Sequence, residues 1–172
     1  MSDIQPAPPK RRRGCGWRLL IFALVIAAII ALGWGFVARP ITVPADAQDM
    51  SPALRSGAWI WLDKLGYHIF APHRGDIVAV AADSSGGGLR IGRIVALPGD
   101  TVSAKEGKLL IDGSPVAESY AQGSLAATFE PIRVPQGHYF VLPDNRAQAP
   151  RNPRTALASK DAIIGKVLPP GA

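Results

Sequence analysis

Two short runs contain the residues of this chain that are its first candidates for chemistry. The first is Asp49-Met50-Ser51-Pro52, and the second is Arg90-Ile91-Gly92-Arg93. Ser51 carries a hydroxyl, which becomes a nucleophile toward an amide when a neighbouring amine takes its proton. Asp49 offers a carboxylate, which would need a second carboxylate for an acid mechanism. The candidate amine bases are three lysines near predicted strand ends or turns: Lys64, Lys105 and Lys108.

The elements that must position these runs are predicted to be strands. From residue 41 onward, short apolar and β-branched stretches recur between glycine and proline turns, which is typical of β structure. The dipeptide Asp112-Gly113 suits a tight hairpin turn. Residues 117–131 lack a pattern and are predicted to be a surface excursion, and residues 84–88 a flexible loop. The predicted strands span residues 58–62, 76–80, 89–97, 108–111, 114–116, 138–142 and 162–167.

A long apolar run precedes this β region. Residues 19–37 contain no charged side chain. As a helix rising about 1.5 Å per residue they would span roughly 28 Å, close to the hydrocarbon thickness of a bilayer. A cleaved secretory signal is the alternative, because Ala45-Asp46-Ala47 resembles a cleavage site, although the apolar regions of such signals are shorter, at about 7–15 residues. We therefore predict a single transmembrane anchor.

The charges around this run predict its orientation. Five basic residues lie before the run or at its start: Lys10, Arg11, Arg12, Arg13 and Arg18. The positive-inside rule then places the N-terminus in the cytoplasm and the C-terminal domain outside it. The chain is thus predicted to have a basic cytoplasmic tail at residues 1–18, an anchor at 19–37 and an extracytoplasmic β domain at 40–172.

Composition argues against several other functions. The net charge is +6, but residues 1–39 carry +5 of it, which indicates contact with anionic lipid and argues against nucleic-acid binding. Cys15 is the single cysteine, so no intramolecular disulfide can form; a free thiol is expected, with lipidation as the alternative. No metal or cofactor is predicted, because the three histidines lack the spacing of metal ligands: His68, His73 and His138.

Four sequence boxes, in this order, resemble those of the type I signal peptidases. They are 49–54, Arg74-Gly75-Asp76-Ile77-Val78, residues 92–102 with Leu97-Pro98-Gly99-Asp100, and Asp144-Asn145-Arg146 after Pro143. The single anchor with its domain outside also fits the family. The resemblance implies a mainly β fold of coiled sheets resting on the membrane surface. It also implies a groove in which an extended peptide is bound by strand addition.

The resemblance implies a catalytic serine at position 49 and a general-base lysine at position 92. This chain has Asp49 and Gly92 instead. The positions that match the family's later Ser and Asp hold Ala149 and Arg151, although Arg154 fits the family's late Arg only after a one-residue insertion. The chain is therefore predicted to lack the dyad, and Ser51 is the fallback nucleophile.

The remaining box residues are assigned by the resemblance to a groove or to the scaffold. The groove edges would be residues 46–50 and 89–94, and we expect Asp49 to pair with Arg93 or to stay solvated. The predicted groove residues are Met50, Pro52, Arg90, Ile91 and Arg93. The predicted scaffold residues are Arg74, Gly75, Asp76, Pro98, Gly99, Asp100, Asp144, Asn145 and Arg146.

Three functions remain open from the sequence. The first is a membrane-anchored, non-catalytic protein that binds exported proteins or signal-peptide-like segments or assists their assembly; similar non-catalytic members of the family are associated with pilus assembly. The second is an active signal peptidase with a shifted or unorthodox dyad. The third is a structural relic or the partner of a catalytic paralogue. The expected partners are therefore membrane lipid and exported proteins, with no nucleic acid.

Overall fold

The computed structural model describes residues 15–42, 50, 54, 57, 59–81 and 88–168. The chain divides into two compact units, residues 1–36 and 37–172. Helix α1, Cys15–Val37, accounts for the described part of the first unit. Within the described ranges, no helix combines the length and the apolar character that crossing a membrane requires. The anchor predicted over residues 19–37 stays a prediction.

The described part of the second unit is mainly β, as predicted. Besides its strands it contains the short helix α2, Gly66–Ile69, and 3₁₀ turns at Arg146–Gln148, Pro153–Ala156 and Lys160–Ala162. The strands are β1 Ala38–Thr42, β2 Trp59–Asp63, β3 Ile77–Ala81, β4 Leu89–Ala96, β5 Thr101–Lys105, β6 Lys108–Ile111, β7 Ser114–Pro115, β8 Phe129–Arg133, β9 His138–Leu142, β10 Leu157–Ser159 and β11 Ile163–Leu168.

Seven strands form the larger antiparallel sheet, in the order β1-β2-β11-β3-β4-β9-β10. Strand β4 lies between β3 and β9. It pairs Gly92 with Val78 on one side and Arg93 with Leu142 on the other. Alternate residues of a strand point to opposite faces of a sheet. Accordingly, Ile77 and Ala79 pack in one apolar cluster, while Val78 and Val80 pack in another.

The smaller sheet has the order β7-β6-β5-β8. Two tight turns build it, because both residues of Glu106-Gly107 and of Asp112-Gly113 have positive φ, from 51° to 78°. Such turns match the twist of antiparallel strands. The Asp112-Gly113 hairpin is thereby confirmed. A third apolar cluster joins Val102 and Leu109 of this sheet to Phe140 of β9.

The predicted strands appear with their ends shifted by no more than a residue or two, while four strands were not predicted. Strand β5 has the alternating burial of a half-exposed strand, but its polar composition concealed it. Strand β8 carries Pro131, which an edge strand of a sheet tolerates. Strands β1 and β10 are the others, and β10 is only three residues long.

The prediction of a surface excursion over residues 117–131 is wrong for part of that segment. Its last residues begin β8. Leu125 is buried, and its N–H donates to the carbonyl of Gly107 at 3.1 Å. The segment therefore packs against the smaller sheet, although its sequence shows no periodicity.

Candidate functional site

A cleft lies where the ladder between β4 and β9 ends. The ladder stops at the pair Arg93 and Leu142, and the next residue of the chain, Pro143, has no N–H to donate to β4. The cleft has a volume of about 120 Å³. Its lining consists of Arg90, Ile91, Gly92, Val141, Leu142, Pro143, Gln148 and Pro150.

Gly92 forms part of the cleft wall with backbone alone. A Cβ atom at this position would lie 2.6 Å from Val141 Cγ1 and 3.3 Å from the carbonyl oxygen of Leu142. Real Cβ atoms essentially never approach other atoms as closely as 2.6 Å. A lysine at position 92 would therefore require Val141 to move.

Asp49, Ser51 and Pro52 lie outside the described residues, so the expected pairing of Asp49 with Arg93 stays a prediction. The residues next to them are buried: Met50 and Leu54 belong to the same apolar cluster as Ile91. The N–H of Leu54 donates to the carbonyl of Met50 at 2.8 Å. Met50, predicted as a groove residue, thus packs in the same cluster as a residue that lines the cleft.

Arg93 makes a buried ion pair and is not among the residues that line the cleft. Its Nε donates to Asp144 Oδ1 at 2.8 Å and its Nη2 donates to Asp144 Oδ2 at 2.6 Å. Its Nη1 donates to the carbonyl of Gly75 at 2.8 Å. Asp144 is fully buried, and its hydrogen bonds raise the pKa of Arg93 further. The guanidinium therefore stays charged and joins three of the sequence boxes: its own and those of Gly75 and Asp144.

Tyr120 and Glu118 extend this ion pair into a network that sequence reasoning missed. The ring of Tyr120 lies 4.3 Å from the Arg93 guanidinium carbon, a cation–π contact. Its hydroxyl donates to Glu118 Oε1 at 3.0 Å, and Arg146 Nη2 donates to the same oxygen at 2.5 Å. Burial, with Glu118 adding to it, raises the pKa of Tyr120 to about 12. Tyr120 is therefore a stable hydrogen-bond donor near neutral pH.

Arg146 is the second buried arginine of this network, with only 2% of its surface exposed. Its Nη1 donates to the carbonyl of Pro143, which lines the cleft. The only signal for Glu118 and Tyr120 in the sequence was an acidic and an aromatic residue two positions apart in an otherwise unpatterned segment. Spacing alone could not pair them with arginines that lie far away in the chain.

The Arg74-Gly75-Asp76 box contacts two other parts of the domain. Arg74 Nη2 donates to Asp100 Oδ2 at 2.7 Å. Asp76 accepts hydrogen bonds from Lys166 Nζ at 2.7 Å and from the Tyr67 hydroxyl at 2.9 Å. The box therefore links β3 to the 97–100 turn and to β11.

The Leu97-Pro98-Gly99-Asp100 box is a tight turn. The N–H of Asp100 donates to the carbonyl of Leu97 at 3.1 Å. Gly99 has a φ of 96°, and a glycine after proline is the signature of a type II turn. Asp100 closes the turn by accepting the Leu97 N–H at 2.6 Å. Beyond the turn, Asp100 makes the ion pair with Arg74.

The segment after Asp144 turns back along the cleft. The Asn145 side chain accepts a hydrogen bond from the N–H of Ala147 and caps a short 3₁₀ turn. Ala149 is half-buried against the core cluster of β5 and β9, whereas Arg151 is exposed. Ala149 and Arg151, which the resemblance matches to the family's later Ser and Asp, bring neither a carboxylate nor a hydroxyl to this segment.

The three lysines proposed as alternative bases do not line the cleft. Lys105 and Lys108 are exposed and pair across the β5–β6 hairpin of the smaller sheet. Lys64 follows β2. A lysine that the sequence did not single out, Lys166, lies in the same cross-strand row as Gly92, with Val78 between them. Its ammonium donates to Asp76.

The fold and these boxes define a protein of the signal peptidase class. The family model described as Signal peptidase, peptidase S26 matches residues 16–169, and the chain belongs to that family. It is 32% identical over 157 residues to Probable signal peptidase I-1 of Synechocystis sp., covering 87% of this chain and 78% of that protein. It is 34% identical over 156 residues to Signal peptidase I T of Bacillus subtilis, covering 83% and 79%.

A crystal structure of a signal peptidase I from Enterococcus faecalis is also similar. It has a TM-score of 0.45 and 28% sequence identity, and the match covers 58% of this chain and 99% of that chain.

The buried pair of Arg93 and Asp144 gives the first testable prediction. Asp144→Asn should lower the free energy of unfolding by about 3–5 kcal/mol, because it leaves an uncompensated buried guanidinium. Arg93→Lys should destabilise less, since it keeps the positive charge beside Asp144, although it loses the two-pronged geometry and the hydrogen bond to the Gly75 carbonyl. Urea denaturation measures both. Asp161→Asn, at an exposed carboxylate, is the matched control and should change little. Equal stability of Asp144→Asn and wild type would contradict the assigned pair.

Asp76 is predicted to contribute to the loss of stability of the domain at low pH. Burial alone would raise the pKa of Asp76, but hydrogen bonds from Lys166, the His73 N–H and Tyr67 outweigh it, so the folded pKa lies below the ordinary value of 3.8. Below that value the unfolded chain binds more protons at Asp76 than the folded chain does. The stabilisation is therefore present above about pH 4 and is lost as the pH falls through the folded pKa.

Asp76→Asn should consequently reduce the loss of stability between about pH 4 and about pH 2. Urea midpoints measured across this range test the change, and Asp161→Asn controls for the lost negative charge. A variant that loses as much stability in acid as wild type would show that Asp76 does not contribute.

Proposed function

We propose that this protein is a non-catalytic member of the signal peptidase family that binds extended segments of exported proteins and releases them uncut. The observation that carries the proposal is the environment of Gly92. Position 92 supplies no amine, and Val141 occupies the space that a side chain there would enter first. Lys166, in the same cross-strand row, is held by Asp76. Asp49, in place of the family's serine, cannot use a lysine base in the family's manner.

The binding role is supported by the cleft along β4. A glycine in a strand allows another backbone to approach closely. Because the β4–β9 ladder stops next to Gly92, an extended peptide could continue the sheet at that point. The apolar wall of Val141, Leu142 and Pro143 suits small apolar side chains. The proposed ligand is therefore a peptide strand of the Ala-x-Ala kind.

An active signal peptidase is the second candidate function. The relatives are named as signal peptidases, and the scaffold boxes keep their mutual contacts. In this case Ser51 would be the nucleophile, with a base other than residue 92. A role as partner of a catalytic paralogue is the third candidate.

We also propose that the protein is held at a membrane, with the N-terminus cytoplasmic and the β domain outside. The uncharged run at 19–37 and the basic residues before it support this location. The β domain presents an exposed apolar surface as well. Trp59 and Trp61 lie on the exposed face of β2, and Trp61 pairs with the exposed Leu168 of β11. Tryptophan favours the interface between membrane and water.

The decisive experiment incubates the full chain in detergent micelles with a preprotein that carries an Ala-x-Ala site. N-terminal sequencing detects cleavage, and fluorescence anisotropy of a labelled Ala-x-Ala peptide measures binding. We expect binding without cleavage. Cleavage would establish the enzyme, and Ser51→Ala would then identify the nucleophile. If the protein neither binds nor cleaves the substrate, the role as partner of a catalytic paralogue remains.

A gain-of-function variant tests whether the residues at positions 49 and 92 account for the expected lack of cleavage. Asp49→Ser with Gly92→Lys restores the family's residue types, and Val141→Ala removes the methyl group that blocks a side chain at position 92. We expect the triple variant to cleave the preprotein. The matched control is Asp49→Ala with the same two further substitutions, which should bind and not cleave.

The membrane proposal has its own test. Trp59→Ser with Trp61→Ser should weaken binding of the second compact unit alone, residues 37–172, to anionic lipid vesicles roughly tenfold, because two large apolar surfaces no longer enter the interface. Vesicle flotation measures the bound fraction. Pro131→Ser, at an exposed apolar position of the smaller sheet, is the control. Unchanged binding of the double variant would remove the tryptophan surface from the proposal.

A further inference from the structure

We infer that Glu118 and Tyr120 are positioning residues of the cleft, which hold β4 through Arg93 and the wall opposite β4 through Arg146. The inference rests on the proposed binding function of the cleft. We call residues 118–125 the strap and residues 143–150 the wall loop. Three residues of the wall loop line the cleft: Pro143, Gln148 and Pro150.

The strap holds the wall loop through its backbone. The N–H of Gln122 donates to the carbonyl of Asp144 at 2.8 Å, and the N–H of Arg146 donates to the carbonyl of Gln122 at 2.8 Å. Gln122 and Asn145 thereby form an isolated parallel bridge. The wall loop therefore takes part of its shape from the strap.

Side chains fix the same two segments in a second way. Glu118 accepts from both Tyr120 and Arg146, and Arg146 in turn donates to the carbonyl of Pro143. The Tyr120 ring covers the guanidinium of Arg93, the residue that follows Gly92 in β4. Tyr120 thus contacts β4 at the residue next to Gly92 and is linked to the wall loop through Glu118 and Arg146.

The strap is itself anchored away from the cleft. Leu125 is buried in the core cluster of the smaller sheet, and its N–H donates to Gly107 of the β5–β6 turn. One end of the strap is therefore fixed to the smaller sheet while its middle holds the wall loop. Fixing a binding wall before the ligand arrives lowers the entropy lost on binding. The two residues consequently contribute to affinity without touching the peptide.

Tyr67 provides a matched control elsewhere in the domain. Its hydroxyl donates to a carboxylate at 2.9 Å, almost the same length as the 3.0 Å bond of Tyr120, and burial raises its pKa as well. Tyr67 contacts Asp76 and does not line the cleft. Substitutions at Tyr67 therefore remove a similar tyrosine–carboxylate contact without touching the strap.

A spin label attached to the wall loop reports the mobility of that loop directly. Gln148→Cys in a Cys15→Ser background gives one labelling site on the cleft wall of the full chain in micelles. We expect Tyr120→Leu and Glu118→Gln to increase the mobility of the label at residue 148 and to weaken binding of the Ala-x-Ala peptide about fivefold. Tyr120→Phe keeps the ring over Arg93 and should have a smaller effect on both. Tyr67→Leu should lower the melting temperature and leave the label unchanged.

The two readouts separate this inference from the proposed function. If wild type does not bind the peptide, the proposed function fails, and the spin label still tests the coupling between strap and wall loop. If Tyr120→Leu and Glu118→Gln leave the label as immobile as in wild type, the inference is overturned. The same holds if Tyr67→Leu mobilises the label as much as Tyr120→Leu does, because the effect would then be general destabilisation.

Discussion

The ion pair between Arg93 and Asp144 is the interaction on which the rest of the domain depends. It joins β4 to the segment after β9, and the third nitrogen of the same guanidinium reaches the Gly75 carbonyl. A fully buried carboxylate is tolerated only when its charge is compensated and its oxygens accept hydrogen bonds. This constraint fixes how three sequence boxes meet. It also fixes the end of the β4–β9 ladder, where the cleft begins.

The cleft and the ion pair lie side by side, yet they have different chemistry. Gly92 and Arg93 are neighbours in β4, so their side-chain directions point to opposite faces of the sheet. Position 92 faces Val141 in an apolar cluster, whereas position 93 faces a network of charges. The contacts of Arg93 with Asp144 and Gly75 therefore form in a strand whose position 92 has no side chain.

Local patterns predicted the elements whose residues act locally. The Asp112-Gly113 turn and the apolar strands 138–142 and 162–167 follow from turn chemistry and β-branched composition, which need no distant partner. Strands β5 and β8 escaped prediction because polar residues and Pro131 weaken their pattern, while pairing within the smaller sheet stabilises them. The strap was misread for the same reason, since its contacts with the arginines are entirely long-range.

The sequence by itself determined the family, the mainly β fold and the residue types at positions 49 and 92, because these depend on the order and spacing of short motifs. Only the tertiary structure decided that Arg93 pairs with Asp144, that Val141 fills the space at Gly92 and that Glu118 accepts hydrogen bonds from Tyr120 and Arg146. These contacts join residues far apart in the chain, and burial fixes such partners through geometry and desolvation that no local pattern records.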